Sequence, residues 1–136
     1  MNVAFFLKPK AQVAYLYDDY TIRQSLEKMR HHGYRVIPVI NKEGKYIGVV
    51  SEGDFLWYLI DSEQGDIVKT NIKEVEDVKL SEAINIKKPE AASITATADD
   101  LLEYAMRQNF VSVVDDTNSF IGIVTRQDII KYLSQK

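Results

Sequence analysis

"GVVSEGD", from Gly48 to Asp54, and "GIVTRQD", from Gly122 to Asp128, are two versions of one pattern. Each reads glycine, two apolar residues, a small hydroxyl residue, two variable positions and aspartate, and the second lies 74 positions after the first. A fixed spacing of that kind points to an internal repeat, which decides the architecture before any local detail does. Working backwards from the pair, Ile47-Gly48 matches Ile121-Gly122, and Val39-Ile40-Asn41 matches Val113-Val114-Asp115. Further upstream the offset becomes 76, with Gly33-Tyr34 on Asn109-Phe110, Leu26 on Leu102 and Thr21 on Thr97. The second copy therefore lacks two residues, placed by this alignment near Val36.

Each copy carries the same succession of local signals. A short strand at about Val13–Tyr17 leads to Thr21, after which Ile22, Leu26 and Met29 recur on one helical face. Gly33 is a helix stop. "RVIPVI" and "YIGVV" are β-branched runs joined by "NKEGK", a glycine-containing hairpin signal, and "SEGDFLWYLI" reads as a second helix. The other copy repeats this with "AASITAT", "DDLLEYAMRQN", "FVSVV", "DDTNS", "FIGIV" and "TRQDIIKYL". Each unit is thus strand, helix, strand, strand, helix, and pairing two such sheets would bury apolar surface that one leaves open.

Composition narrows the possible functions. The chain has 136 residues, 46% hydrophobic and 27% charged, as in an ordinary globular domain. A net charge of −3 argues against nucleic acid or an anionic membrane as partner. The absence of cysteine excludes disulfides, thiolate catalysis and cysteine-ligated zinc. "VAFFL" near the start is too short for a signal segment, and no apolar run approaches the roughly 20 residues that span a bilayer. A cytoplasmic location is expected.

The hydroxyl–aspartate pairs admit two readings. Ser51 and Thr125 stand where a strand gives way to a helix, and such residues are favoured N-caps. Asp54 and Asp128, three positions later, then complete a shortened capping box and complement the helix dipole. Alternatively, a helix N-terminus with a hydroxyl beside it suits a phosphate, and a carboxylate one turn in suits a ribose diol. The variable positions differ in charge, Glu52 against Arg126. A guanidinium suits a phosphate, so the second motif is expected to be the stronger phosphate binder.

In combination these elements resemble a pair of cystathionine-β-synthase (CBS) domains, a Bateman module. They are threonine before a helix, glycine at its end, the apolar-Pro-apolar strand "IPVI", and Gly-x-x-Ser/Thr-x-x-Asp. The resemblance implies an α+β fold of two β-α-β-β-α repeats packed sheet-to-sheet with pseudo-twofold symmetry. The implied division is residues 1–60 for the first repeat with its N-terminal segment, 61–88 for a charged helical connector, and 89–136 for the second. It further implies that an adenosyl compound (AMP, ADP, ATP, cyclic di-AMP or S-adenosylmethionine) binds in clefts between repeats as a regulatory ligand, with no other cofactor. Asp54 and Asp128 would take the ribose, Ser51 and Thr125 the phosphate with Arg126 beside it, and Thr21 and Thr97 would line the pockets. Backbone at Tyr34, Arg35, Val36, Ile37 and Pro38, and at Asn109, Phe110 and Val111, would meet the adenine. A homodimer and an unidentified protein target complete the expectation.

Other conspicuous residues have local explanations. His31 and His32 diverge by about 100° on a helix and lack a shared face for a metal. Asp18-Asp19, Asp99-Asp100 and Asp115-Asp116 fall at turns or helix starts, where aspartate is expected. No nucleophile–base pair and no G-x-x-x-x-G-K loop is present. A sensor without enzymatic activity is therefore the leading expectation. An interaction module with empty pockets comes next, and a nucleotide hydrolase resting on Glu52 alone comes last.

Overall fold

The computed structural model describes residues 3–59 and 76–134, so the stretch 61–75 of the expected connector lies outside the described residues. The elements in chain order are β1 (Lys8–Pro9), β2 (Leu16–Tyr17), α1 (Ile22–His32), β3 (Val36–Ile40), β4 (Tyr46–Ser51), α2 (Glu52–Leu59) and α3 (Leu80–Ala83). They continue with β5 (Ala92–Ser93), α4 (Ala98–Ala105), β6 (Phe110–Val114), β7 (Phe120–Thr125) and α5 (Arg126–Ser134). Both repeats thus follow β-α-β-β-α, in two compact units.

The first unit comprises residues 14–42, 47–59 and 76–88. Its sheet has the order β2-β3-β4, with β2 parallel to β3 and Leu16 opposite Val39. A parallel pair needs a crossover, and α1 supplies it. Thr21 caps α1: its hydroxyl accepts from Gln24 N–H at 3.1 Å, while the Gln24 side chain accepts from Thr21 N–H at 2.9 Å. That reciprocal arrangement satisfies two donors at the helix start, and Ile22 and Arg23 N–H donate to Val78 O and Glu76 O. At the other end Gly33 adopts φ 69°, with its N–H bonded to Arg30 O and Tyr34 N–H to Met29 O. A left-handed residue is what this helix ending requires, and glycine adopts it at least cost. Ile22, Met29, Ile37, Val39, Val50 and Phe55 form the core, together with Leu80 and Ile84.

The second unit comprises residues 3–13, 43–46 and 89–134, and its sheet has the order β1-β7-β6-β5. β5 is parallel to β6 across α4, β6 and β7 form the antiparallel hairpin, and β1 adds antiparallel to β7. Val3 and Phe6 join Leu101, Val111, Val113, Val124 and Ile129 in its core. Chain order groups the N-terminal segment with the first repeat, yet residues 3–13 pack in the second unit. Apolar burial decides the matter, because Val3 is fully buried there and Phe6 nearly so. The hairpin turn at 43–46 also belongs to the second unit, where Tyr46 N–H bonds Asn118 O at 3.0 Å.

The two motif glycines have the same task. Residues 76–88 pass over β4, and Val49 N–H donates to Lys87 O at 2.8 Å. A Cβ on Gly48 would collide with that Lys87 carbonyl and come within 2.9 Å of Ile86 Cγ2. Residues 3–13 pass over β7, where Pro9 stands opposite Gly122. There a Cβ would meet the Lys8 carbonyl and approach Leu7 Cδ1 to 2.9 Å. Each glycine therefore admits a crossing strap.

The gap between the copies also has a different place from the one the alignment gave it. β3 and β6 correspond at an offset of 74 from their first residue, Val36 to Phe110, whereas the helices are unequal: α1 has 11 residues and α4 has 8. The missing residues fall at the helix end, upstream of Val36. α4 closes on Met106 in ordinary right-handed geometry, so Gly33 has no counterpart.

Candidate functional site

Both motifs form a strand-to-helix corner, and the corners share a backbone clamp. Glu52 N–H donates to Arg35 O at 2.9 Å, and Arg126 N–H donates to Asn109 O at the same distance. The first helical N–H thereby ties the corner to the residue just before β3 or β6. This fixes the distance between the motif and the segment assigned to adenine. It also removes one donor from those available to an anion.

The corners differ in how they use their aspartates. In the first unit Asp54 N–H donates to Ser51 Oγ at 3.3 Å and the Asp54 carboxylate accepts from Ser51 N–H at 2.8 Å. The capping box is closed, and the carboxylate is engaged in it. In the second unit Asp128 N–H donates to Thr125 Oγ1 at 3.2 Å, without the return bond. The Asp128 carboxylate instead faces Lys8 on β1, with Nζ 3.8 Å from Oδ2. Among the described residues, this long, half-exposed ion pair is the carboxylate's one polar contact.

Arg126 is half-buried. Its Nε donates to the Ala105 carbonyl at 2.7 Å, at the last residue of α4. A cation there satisfies an orphan carbonyl and complements the negative end of the helix dipole. Arg126 was expected beside a phosphate, and this contact engages its Nε alone. Its short hydrogen bond makes it a helix cap, with only the terminal Nη donors left for an anion.

The remaining sequence-predicted residues are distributed along the two crossovers. Ile37, Pro38 and Val111 are buried as whole residues, backbone included. Tyr34, Val36 and Phe110 are half-buried, while Arg35 and Asn109 are exposed at the strand starts beside the clamps. Thr21 stands at the opposite end of α1, about 16 Å away for a helix of that length. Thr97 likewise starts α4 and is closed in a capping box with Asp100, with distances of 3.3 and 3.0 Å. Within a single unit, then, neither threonine shares a site with the motif.

Two hollows adjoin the corners. In the first unit Leu26, Met29, Arg30, Gly33, Arg35 and Glu52 line a groove of about 470 Å³. In the second, an aromatic wall of Phe5, Phe6 and Tyr132 meets Lys8, Asp128 and Lys131 around about 360 Å³. The rings stand edge to face, with Phe6 and Tyr132 centroids 5.2 Å apart. Lys8 and Lys131 went unrecognised in the sequence. Lys131 had a signal, its i+3 spacing from Asp128, but Lys8 lies 120 positions away and had none.

The other conspicuous groups behave as local chemistry dictates. The His31 and His32 rings touch edge to face at 5.0 Å. Among the described residues no cluster of three or more His, Asp or Glu is placed to hold a metal. Asp115 anchors its turn by accepting from Thr117 Oγ1 at 2.8 Å, Thr117 N–H at 2.9 Å and Ser119 N–H at 2.9 Å. The Thr117 hydroxyl, followed by the Ser119 N–H, holds its carboxyl below the usual range. No described helix is long and apolar enough to cross a membrane.

The model of the CBS domain matches residues 7–61 and again 75–135. The chain belongs to the CBS domain family. Each match takes in described strap residues, 7–13 in the first and 76–88 in the second, that pack in the other unit. Among solved structures, the CBS pair is similar to CbpB in complex with c-di-AMP, at a TM-score of 0.85 and 27% identity, covering 99% of this chain and 85% of that one. It is similar also to CbpB from Streptococcus agalactiae, at a TM-score of 0.80 and 27% identity, covering 98% and 80%. The uncharacterized protein MJ1426 of Methanocaldococcus jannaschii is 26% identical, over 87% of this chain and 84% of its own length.

Proposed function

We propose that this CBS pair is a regulatory module that binds an adenine nucleotide and reports its occupancy to a partner protein. The observation that carries the reading is the likeness along 99% of the chain to CbpB, a protein crystallised with c-di-AMP. The second motif supports it, because the Asp128 carboxylate stays out of its own helix cap and is available to a ribose diol. The ligand class is AMP, ADP, ATP, cyclic di-AMP or S-adenosylmethionine. The mechanism is differential affinity: a ligand that binds one conformation better shifts the population, and the partner reads that shift. No covalent step is involved, and the module works as a homodimer in the cytoplasm.

An interaction module without ligand is the second reading. Thr21, Thr97 and the Ser51–Asp54 pair favour it, since all are closed in capping boxes that account for them without a ligand. A thermal-shift panel of the five ligand types on nucleotide-free protein separates the readings. A ligand at 100 times its dissociation constant adds roughly 2.7 kcal/mol to stability. A shift with one or more adenosyl compounds supports the sensor, and none with any of them leaves the interaction module.

A further inference from the structure

Asp128 is surrounded by more positive charge than a helix cap needs. Lys8 approaches it from β1 and Lys131 follows one turn later on α5, both on the same hollow. The first motif lacks this arrangement: the residue three after Asp54 is Trp57, 65% exposed, and Asp54 is bonded back to Ser51 N–H. The Lys8–Asp128 pair itself is weak. At 3.8 Å, with side chains 50% and 31% exposed, it belongs to the class of surface pairs that contribute little to stability. The strap nevertheless holds Lys8 in place, because Gly122 admits its carbonyl and the Lys8–Ile123 pairing fixes its register.

We infer that Lys8, with Lys131 beside it, is the counter-charge for the ligand's phosphate at the second motif and makes that site select nucleotides over nucleosides. The inference rests on the proposed nucleotide binding. A ribose diol that hydrogen-bonds Asp128 is brought beside the Lys8 ammonium, 3.8 Å from that carboxylate. In a nucleotide the phosphate attached to that sugar adds a second anion for the ammonium to meet; a nucleoside adds none. The pairing of carboxylate and ammonium is thus matched to a ribose phosphate as a unit. Arg126, with its Nε held on Ala105 O, has only its Nη donors to add.

The test is calorimetric titration of AMP and adenosine into the wild-type chain, Lys8→Gln, Lys8→Arg and Lys131→Gln, each first checked for an unchanged melting temperature. The wild type is expected to bind AMP more tightly than adenosine. Lys8→Gln should weaken AMP about tenfold, the worth of one charge-assisted hydrogen bond, and leave adenosine unchanged or tighter. Lys8→Arg should retain the preference, and Lys131→Gln should lose part of it. Equal losses for both ligands, or AMP affinity unaltered in Lys8→Gln, would overturn the inference and leave nucleotide binding standing. A wild type that binds neither AMP nor any other adenosyl compound overturns both.

Discussion

The Arg126 guanidinium Nε lies 2.7 Å from the Ala105 carbonyl oxygen and closes the C-terminal end of α4. Its counterpart Glu52 can do nothing similar for α1, which ends instead on the left-handed Gly33. The two copies therefore solve one problem, satisfying the last carbonyls of the crossover helix, by a side chain in one case and by a glycine in the other. Arg126→Ala should destabilise the fold by about 1–2 kcal/mol, since a half-buried charge-assisted hydrogen bond is lost. Urea unfolding monitors this, and nucleotide affinity should fall far less than in Lys8→Gln.

The straps are tested through their glycines. In Gly122→Ala and Gly48→Ala the new methyl meets a backbone carbonyl, which cannot swing aside as a side-chain tip can. A loss of more than about 2 kcal/mol is expected in each. Gly33→Ala provides the contrast. Nothing lies within 4 Å of its added Cβ, so only the left-handed backbone is strained, at a cost of about 1 kcal/mol. Equal losses in all three would contradict the strap account.

Acid stability should carry a contribution from Asp115. The Thr117 hydroxyl and the Ser119 N–H stabilise its charged form, so its carboxyl titrates lower in the folded than in the unfolded chain. A depressed carboxyl contributes stability that is complete above the unfolded value, about 3.9 for aspartate, and is lost as pH falls through the lower folded value. Asp115→Asn should therefore flatten stability against pH below about pH 4 and leave it unaltered in shape near neutrality. Chemical unfolding at a series of pH values reads the slope.

The β-α-β-β-α succession was legible because each element has its own signal. Thr21 and Thr97 cap the helices that their position announced, and the β-branched runs became β3, β4, β6 and β7. Long-range placement was not legible. Val3, Phe6 and Lys8 have no periodicity that distinguishes a strap on β7 from a lead-in to β2, and packing alone decides between them. The site was legible in part for the same reason. Motif spacing gave Ser51, Asp54, Thr125 and Asp128, but whether a carboxylate turns back onto its cap or out to Lys8 depends on the strap. The direction of Arg126 depends on the length of α4, which the alignment had assigned to the strand segment.

The motifs should therefore contribute unequally. Asp128→Ala removes a carboxylate available to ribose and should weaken nucleotide binding at least about tenfold, the effect of losing one strong hydrogen bond to a charged group. Asp54→Ala removes one engaged in its own cap and should cost about 1 kcal/mol of stability with a smaller effect on affinity. Loss of binding in Asp54→Ala with none in Asp128→Ala would reverse the ranking.

The most direct measurement is isothermal titration of nucleotide-free protein with cyclic di-AMP and with AMP, beside the Asp128→Ala chain. The sensor account predicts saturable binding of at least one of them that Asp128→Ala weakens. Absence of saturable binding for both, or binding indifferent to Asp128, would contradict it.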